Sequence, residues 1–266
     1  MDKRCCNMTA RQKLDIIIYL VTIAITILLT CVGFIFGPKC LIVILLSVLL
    51  LVCLFLAVVL LGPCAAARRA YKSRPPRQVY DEISSKPGYC RLSALPFTFI
   101  EAIRCCEDPY FYSHKGLNVD SIVNAIAHNL FLSGKPIGAS TIPMQLIKNI
   151  WLDSEVTYRR KITQIIMTGR LEKELSKSQI LELYVNVIYY GCDKWGITDA
   201  AEHYYGVEPS KMTFDQSLSL AAILPCPDKY NKKANPVYFN QVKKKALQRL
   251  LLYSSAIRLS HIKLDN

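Results

Sequence analysis

Two long runs without a charge dominate the first quarter of the chain. Ile16–Phe36 and Leu41–Leu61 each hold 21 consecutive uncharged, mostly apolar positions, with Gly37, Pro38 and Lys39 interrupting between them. As a helix, each run would extend roughly 30 Å, the thickness of a bilayer's hydrocarbon core. A signal peptide has a single, shorter apolar stretch. The pattern therefore predicts a basic N-terminal segment over 1–15 and a transmembrane helical hairpin over 16–62. From there to about Pro87 the chain is rich in Ala, Arg, Lys, Pro and Ser. A linker skirting the membrane is expected over 63–87, stiffened by Pro75-Pro76. Beyond it, apolar residues recur at three-four spacing and alternating runs are few, which predicts a mainly α-helical domain over 88–240. Its helices are expected near Thr98–Cys106, Val119–Phe131, Ile142–Trp151, Tyr158–Leu175, Lys177–Tyr190, Thr198–Tyr205, Thr213–Leu224 and Pro236–Tyr253. A basic, then Leu-rich helix or tail over 241–266 is expected to pack on the domain or lie on lipid.

Composition narrows the class. Of the 266 residues 52% are hydrophobic, which excludes a disordered chain, a collagen-like fibre and a disulfide mini-protein. Residues 1–77 carry 10 Lys+Arg against 2 Asp+Glu, so most of the basic excess flanks the apolar runs. Such charge suits anionic lipid headgroups or a phosphorylated substrate. No dense Lys/Arg face marks the folded part, so no nucleic-acid partner is expected. Basic residues on both sides of the hairpin (Lys3, Arg4, Arg11 and Lys13 before; Arg68, Arg69, Lys72, Arg74 and Arg77 after) place both ends in the cytoplasm by the positive-inside rule. The eleven cysteines include no C-x-x-C pair and are expected to be free or buried thiols.

Three stretches could carry chemistry. In Glu107-Asp108-Pro109-Tyr110-Phe111-Tyr112-Ser113-His114-Lys115-Gly116, two carboxylates close an apolar helix and open an aromatic turn. A Glu against aromatic walls acquires the raised pKa that acid–base work needs. In Gly138–Asn149, Ser140 or Thr141 is a natural N-cap and Pro143 fits the first turn. Thr141, Gln145 and Lys148 then share one helical face, and a helix start with hydroxyls and a lysine suits a phosphate. In the third stretch, Arg160 and Gln164 share one face, as do Glu182 and Asn186 on the next helix.

In this order and spacing, the stretches resemble the peptidoglycan glycosyltransferase domain, the family 51 glycosyltransferases of bifunctional penicillin-binding proteins and monofunctional transglycosylases. The resemblance runs from about Tyr80 to Pro236. It rests on E-D-x-x-F-x-x-H-x-G at Glu107–Gly116, G-x-S-T-I-x-x-Q-L-x-K-N at Gly138–Asn149, and Arg160-Lys161. I-L-E-L-Y-x-N at Ile180–Asn186, A-A-x-x-Y-[FY]-G at Ala200–Gly206, and Tyr230-Asn231 followed by Asn235-Pro236 complete it. The resemblance implies a lysozyme-like helical glycosyltransferase domain beside the membrane that polymerises lipid II into glycan strands, with undecaprenyl diphosphate leaving. It makes Glu107 the general base for the acceptor sugar's 4-hydroxyl, with Asp108 and His114 holding its loop. Ser140, Thr141, Gln145, Lys148, Asn149, Arg160 and Lys161 would line the substrate site, and a divalent cation (Mg or Mn) could assist the diphosphate. The implied partners are lipid II and the growing strand, membrane lipids, and a transpeptidase or other cell-wall synthesis protein. The implied place is the bacterial inner membrane with the domain outside the cytoplasm, against the charge rule above.

This chain departs from the family pattern at three positions. Gln164 stands at the family position of a second catalytic Glu, and Asn124 and Val156 stand where the family has arginines. Arg104, Glu155 and Arg159 are the nearby charges that could compensate. Two further readings stay open: a weakened or inactive relative acting as a lipid-binding scaffold, and a glycan hydrolase built on the paired acids. The only S-x-x-K is Ser260–Lys263, so no penicillin-binding half is expected within the sequence.

Overall fold

A computed structural model describes residues 10–132, 138–152, 157–230 and 235–254. Among them the architecture is helical: α1 Ala10–Ser73, α2 Pro76–Ser84, α3 Phe97–Glu107, α4 Val119–Phe131, α5 Ile142–Trp151, α6 Tyr158–Glu174, α7 Lys177–Val187, α8 Ile197–Tyr205, α9 Phe214–Ile223, α10 Pro227–Tyr230 and α11 Pro236–Tyr253. The extended pairing among the described residues is one isolated antiparallel bridge between Tyr189 and Trp195. The chain divides into two units, one running to Cys64 and including Asn118–Ala139, the other comprising Ala65–Leu117 and the residues from Ser140.

In the first unit, the helical backbone of α1 breaks at Gly37, whose φ of 80° and ψ of 163° lie outside the helical region. The two apolar runs fall on either side of this break, where Gly-Pro interrupts the sequence pattern. The arm from Gly37 to Ser73 is long and apolar enough to cross a membrane, and its described leucines, isoleucines and valines are largely exposed. Helix α4 begins where Asn118 accepts a hydrogen bond from the Ser121 N–H at 2.9 Å. Asn124 lies on its exposed side.

The second unit holds the main core. Phe99, Ala102 and Ile103 of α3 are fully buried, and α3 packs against both α9 and α11, while α5 lies between α6 and α7. Caps set the starts of these helices. Thr157, Ser176 and Thr213 accept from the third residue of their helices, and Ser176 and Thr213 form capping boxes with Gln179 and Gln216. Asn235 caps α11 ahead of Pro236.

The segment expected to be a linker is instead helical and part of this core. Ala67, Tyr71 and Val79 are buried. The Tyr71 hydroxyl donates to the Met167 carbonyl at 2.7 Å, its ring meets Trp151 edge-on at 5.4 Å, and the Trp151 indole donates to the Arg74 carbonyl at 2.7 Å. The basic residues are outward positions of helices whose inward positions are small or aromatic, so composition alone concealed a buried stripe. Helix α7 also stops earlier than its periodicity suggested. Its chain turns after Val187 so that Tyr190 is buried and its N–H reaches the Lys194 carbonyl at 2.9 Å. The nine described cysteines are all free thiols. Helix α11 packs on the domain.

Gly116 is the tightest backbone approach near the carboxylate pair. Its φ is 80°, and a Cβ built there would lie 2.4 Å from the Thr168 Cγ2 methyl. Gly116→Ala is expected to cost about 2 kcal/mol, from left-handed backbone and overpacking together. A thermal unfolding midpoint equal to that of the parent protein would contradict this.

Candidate active site

The last turn of α3 delivers two adjacent carboxylates to opposite tasks. Asp108 is buried, and both its oxygens receive the Nε2 edge of His114, at 2.9 and 3.0 Å, while Oδ2 also accepts the Ile142 N–H at 3.1 Å. Thr141 caps α5 by accepting the Met144 N–H, and its hydroxyl donates to the Gly116 carbonyl at 2.6 Å. The loop from Pro109 to Gly116 is thus pinned to the start of α5 through both Asp108 and Thr141. Arg104 pins its other side, donating to the Pro109 carbonyl at 2.6 Å while paired with Glu101 at 2.7 Å. These are positioning residues, and Arg104 is committed to the loop and so is not available as a substitute cation for a substrate.

Glu107 is partly buried and points the other way. Its Oε2 accepts from Gln145 Nε2 at 2.8 Å, and Gln145 Oε1 in turn accepts the Tyr184 hydroxyl at 3.0 Å. The buried Tyr184 hydroxyl fixes which way the amide faces, so an N–H rather than a carbonyl meets the carboxylate. Burial raises the pKa of Glu107 above the ordinary carboxylate value; the Gln145 hydrogen bond and the charges of Arg249 and Lys148 pull it back down, and the Asp108 charge pushes it up. A carboxylate tuned this way can take up a proton from a sugar hydroxyl and release it.

Beside it lies a cationic cluster. Lys161 Nζ donates to Ser140 Oγ at 2.8 Å. Its pKa is lowered by burial and then by the charges of Arg160 and Lys148. Lys148 acts on both Glu107 and Lys161, so it bridges the carboxylate and the cations. Lys148 and Asn149 are exposed on α5. A lysine whose protonation is opposed by two neighbouring cations suits a bound anion, which would relieve the repulsion.

Gln164 is the predicted site residue that the structure places elsewhere. It is buried between α5 and α6, and its Nε2 donates to the Met144 carbonyl. An ionised carboxylate there would meet a carbonyl oxygen with no proton to offer. Gln164→Glu, which sequence comparison alone favours as a restoring change, is therefore expected to lower stability by about 1–3 kcal/mol at neutral pH. An unfolding midpoint at or above that of the parent would show that the side chain turns into the site instead. Val156 and Glu155 lie outside the described residues, as does Asn231. Arg159 is exposed at the start of α6.

Two residues of this arrangement were missed in the sequence. Tyr184 sits inside the I-L-E-L-Y-x-N motif, where an aromatic reads as core, and Arg249 lies in the C-terminal helix, where its Nη1 donates to the Cys106 carbonyl at 2.6 Å. The same motif has a second face. Glu182 accepts from the Tyr80 and Tyr89 hydroxyls, both at 2.8 Å, from Arg91 and from the Leu92 N–H at 2.7 Å. Asn186 brackets the Cys90 peptide at 2.9 and 2.8 Å. The two share one face, as their spacing predicts, and both hold the 80–92 segment against α7.

Among the described residues, no group of three or more His, Cys, Asp or Glu could hold a metal ion. Asp108 is fully engaged, Glu107 is engaged through Oε2, and position 164 carries an amide. These side chains assemble no cation cage by themselves, and a divalent cation on the diphosphate would draw most of its ligands from the substrate and water.

Comparison with known proteins bears on what this geometry is for. The sequence model of the family described as Transglycosylase matches residues 77–251. Penicillin-binding protein 1A of Pseudomonas aeruginosa is 34% identical over 197 residues, which is 71% of this chain and 24% of the relative. The biosynthetic peptidoglycan transglycosylase of Nitrosospira multiformis is 38% identical over 149 residues, 56% of this chain and 65% of the relative. Penicillin-binding protein 1F of Bacillus subtilis is 34% identical over 145 residues, 54% of this chain and 20% of the relative. The chain thus spans about a quarter of the penicillin-binding protein 1A it matches. With a family match across most of its helical domain and the motif residues gathered around Glu107, the chain belongs to the transglycosylase family and carries a family 51 peptidoglycan glycosyltransferase domain.

Proposed function

We propose that this protein polymerises lipid II at the membrane, joining disaccharide-pentapeptide units into glycan strands with release of undecaprenyl diphosphate. The observation that carries the reading is the hydrogen-bonded line Tyr184–Gln145–Glu107 beside the Lys148, Arg160 and Lys161 cations. In the reaction, the acceptor's 4-hydroxyl oxygen attacks the donor sugar's anomeric carbon. The bond from that carbon to the diphosphate oxygen breaks, and the hydroxyl proton passes to Glu107. Charge grows on the departing diphosphate, where the three cations stabilise it without reorganising. Ser140 orients Lys161, and Asp108, His114 and Thr141 keep the loop and the start of α5 in register. No step passes through a metal ion.

The apolar arms of α1 are proposed to anchor the protein in the bacterial inner membrane as a hairpin, with the domain on the side where flipped lipid II is presented. The proposed partners are the growing strand, bilayer lipids and a transpeptidase. A second reading, a relative that binds lipid II without turnover, rests on Gln164, which is buried and brings no charge.

Lipid II binding to the full chain in nanodiscs tests the cation assignment. Lys148→Ala and Arg160→Ala are each expected to weaken binding roughly 10- to 100-fold, the loss of one charge-assisted contact. Unchanged affinity in both variants would overturn the diphosphate site.

A further inference from the structure

Against the loop that follows Glu107, the corner between α6 and α7 places an ion pair on an aromatic ring. Glu172, near the end of α6, meets the ammonium of Lys177, the first residue of α7, at 2.6 Å. The same ammonium lies 4.5 Å from the centre of the Phe111 ring. Phe111 is fully buried, and the side chains of Glu172 and Lys177 are only 12% and 23% exposed. An ammonium drawn this far out of water is costly unless its charge is met from more than one side. Glu172 meets one side, and the electron-rich ring face meets another, through an attraction that strengthens as water is excluded.

Phe111 sits in the loop whose position sets the base. Its N–H donates to the Asp108 carbonyl at 3.0 Å, and its ring meets the His114 ring edge-on at 6.4 Å. His114 in turn holds Asp108, the residue next to Glu107. Arg104 and Thr141 pin the two ends of this loop at Pro109 and Gly116, which leaves its middle to the ring. We propose that Lys177 is a positioning residue for glycosyl transfer: its charge, aimed by Glu172, seats Phe111 and so keeps the loop, and Glu107 with it, within reach of the acceptor hydroxyl. The inference rests on the reading of Glu107 as the base and adds a residue pair outside the substrate site. Its energetic signature differs from that of packing, because it depends on the ring's electrons and the lysine's charge together.

The test uses the full chain in nanodiscs, with Phe111 replaced by phenylalanines carrying one, two or three ring fluorines. These nearly keep the ring's shape while draining charge from its face. The polymerisation kcat is expected to fall stepwise, by about tenfold at three fluorines, with KM within about twofold of the parent. Lys177→Met removes the charge and should cost a similar factor, after which fluorination should add nothing. Lys177→Arg restores the charge and should recover most of the loss. Equal kcat across the fluorine series would overturn the inference, as would the same fluorine effect with and without the lysine, since either makes Phe111 a packing residue only. The series stands by itself should Lys177→Met fail to fold. Amide hydrogen exchange reads the seating without turnover. The Phe111, Ser113 and His114 N–H groups, bonded to the Asp108 and Tyr110 carbonyls, should exchange about tenfold faster at three fluorines. A parent protein that forms no strand would overturn the polymerase reading while exchange still decides the seating, and unchanged exchange would overturn the seating in either case.

Discussion

Glu107→Gln is expected to reduce the rate of glycan polymerisation by 10²- to 10⁴-fold, the range spanned by loss of a positioned acid–base group. The change is nearly isosteric, and an amide can still meet Gln145, so the fold and the cationic cluster should survive. Lipid II affinity should stay within a few-fold of the parent value, placing the loss in kcat. The parent enzyme's pH profile carries the same information. Burial raises the pKa of Glu107, and the base acts in its ionised form. Activity should therefore fall on acidification through a pKa above the ordinary glutamate value of about 4.3. Removing Arg249, whose charge opposes the rise, should move that limb further up. Turnover in Glu107→Gln at the parent rate would refute its role as base.

Glu182→Ala is expected to have the largest effect on stability, about 3 kcal/mol, because it leaves the Tyr80 and Tyr89 hydroxyls and the Leu92 N–H without their acceptor. Arg91 adds little to that figure, since its exposed guanidinium can return to water. Hydrogen bonds from Leu92, Tyr80, Tyr89 and Arg91 outweigh desolvation and hold the Glu182 pKa below the ordinary carboxylate value. A depressed carboxylate contributes stability that is fully present above the unfolded-state pKa, near 4.3. The contribution is lost as pH falls through the lower native value. Glu182→Gln should therefore flatten the acid limb of the stability profile as well as lower its plateau. Equal unfolding midpoints for parent and Glu182→Ala at pH 7 would show that the 80–92 segment does not depend on this carboxylate.

The helix starts were legible because their determinants are local. Asn118, Thr141 and Asn235 are polar residues that cap the helices after them, and α4, α5 and α11 begin and end where periodicity placed them. Glu107, Lys148 and Lys161 were legible as motif members. What makes them a site was not, because the Tyr184–Gln145 contact joins residues 39 apart in sequence and depends on how α5 crosses α7. The same limit hid Gln164, whose spacing from Arg160 suggested a shared site face while tertiary packing turned its amide onto Met144. The 63–87 segment misled for a compositional reason: its buried positions, such as Ala67, Tyr71 and Val79, come no more than about one to a turn among exposed lysines and arginines, which reads as a linker until a partner surface is present.

The most direct test of the central claim is the product formed from lipid II by the purified full-length protein, separated by size and assayed for undecaprenyl diphosphate, with a metal chelator present in a parallel reaction. The account predicts glycan strands released together with undecaprenyl diphosphate, persisting in the chelator and absent with Glu107→Gln. Folded protein that binds lipid II and yields neither strand nor diphosphate would contradict it and identify the chain as a binding relative.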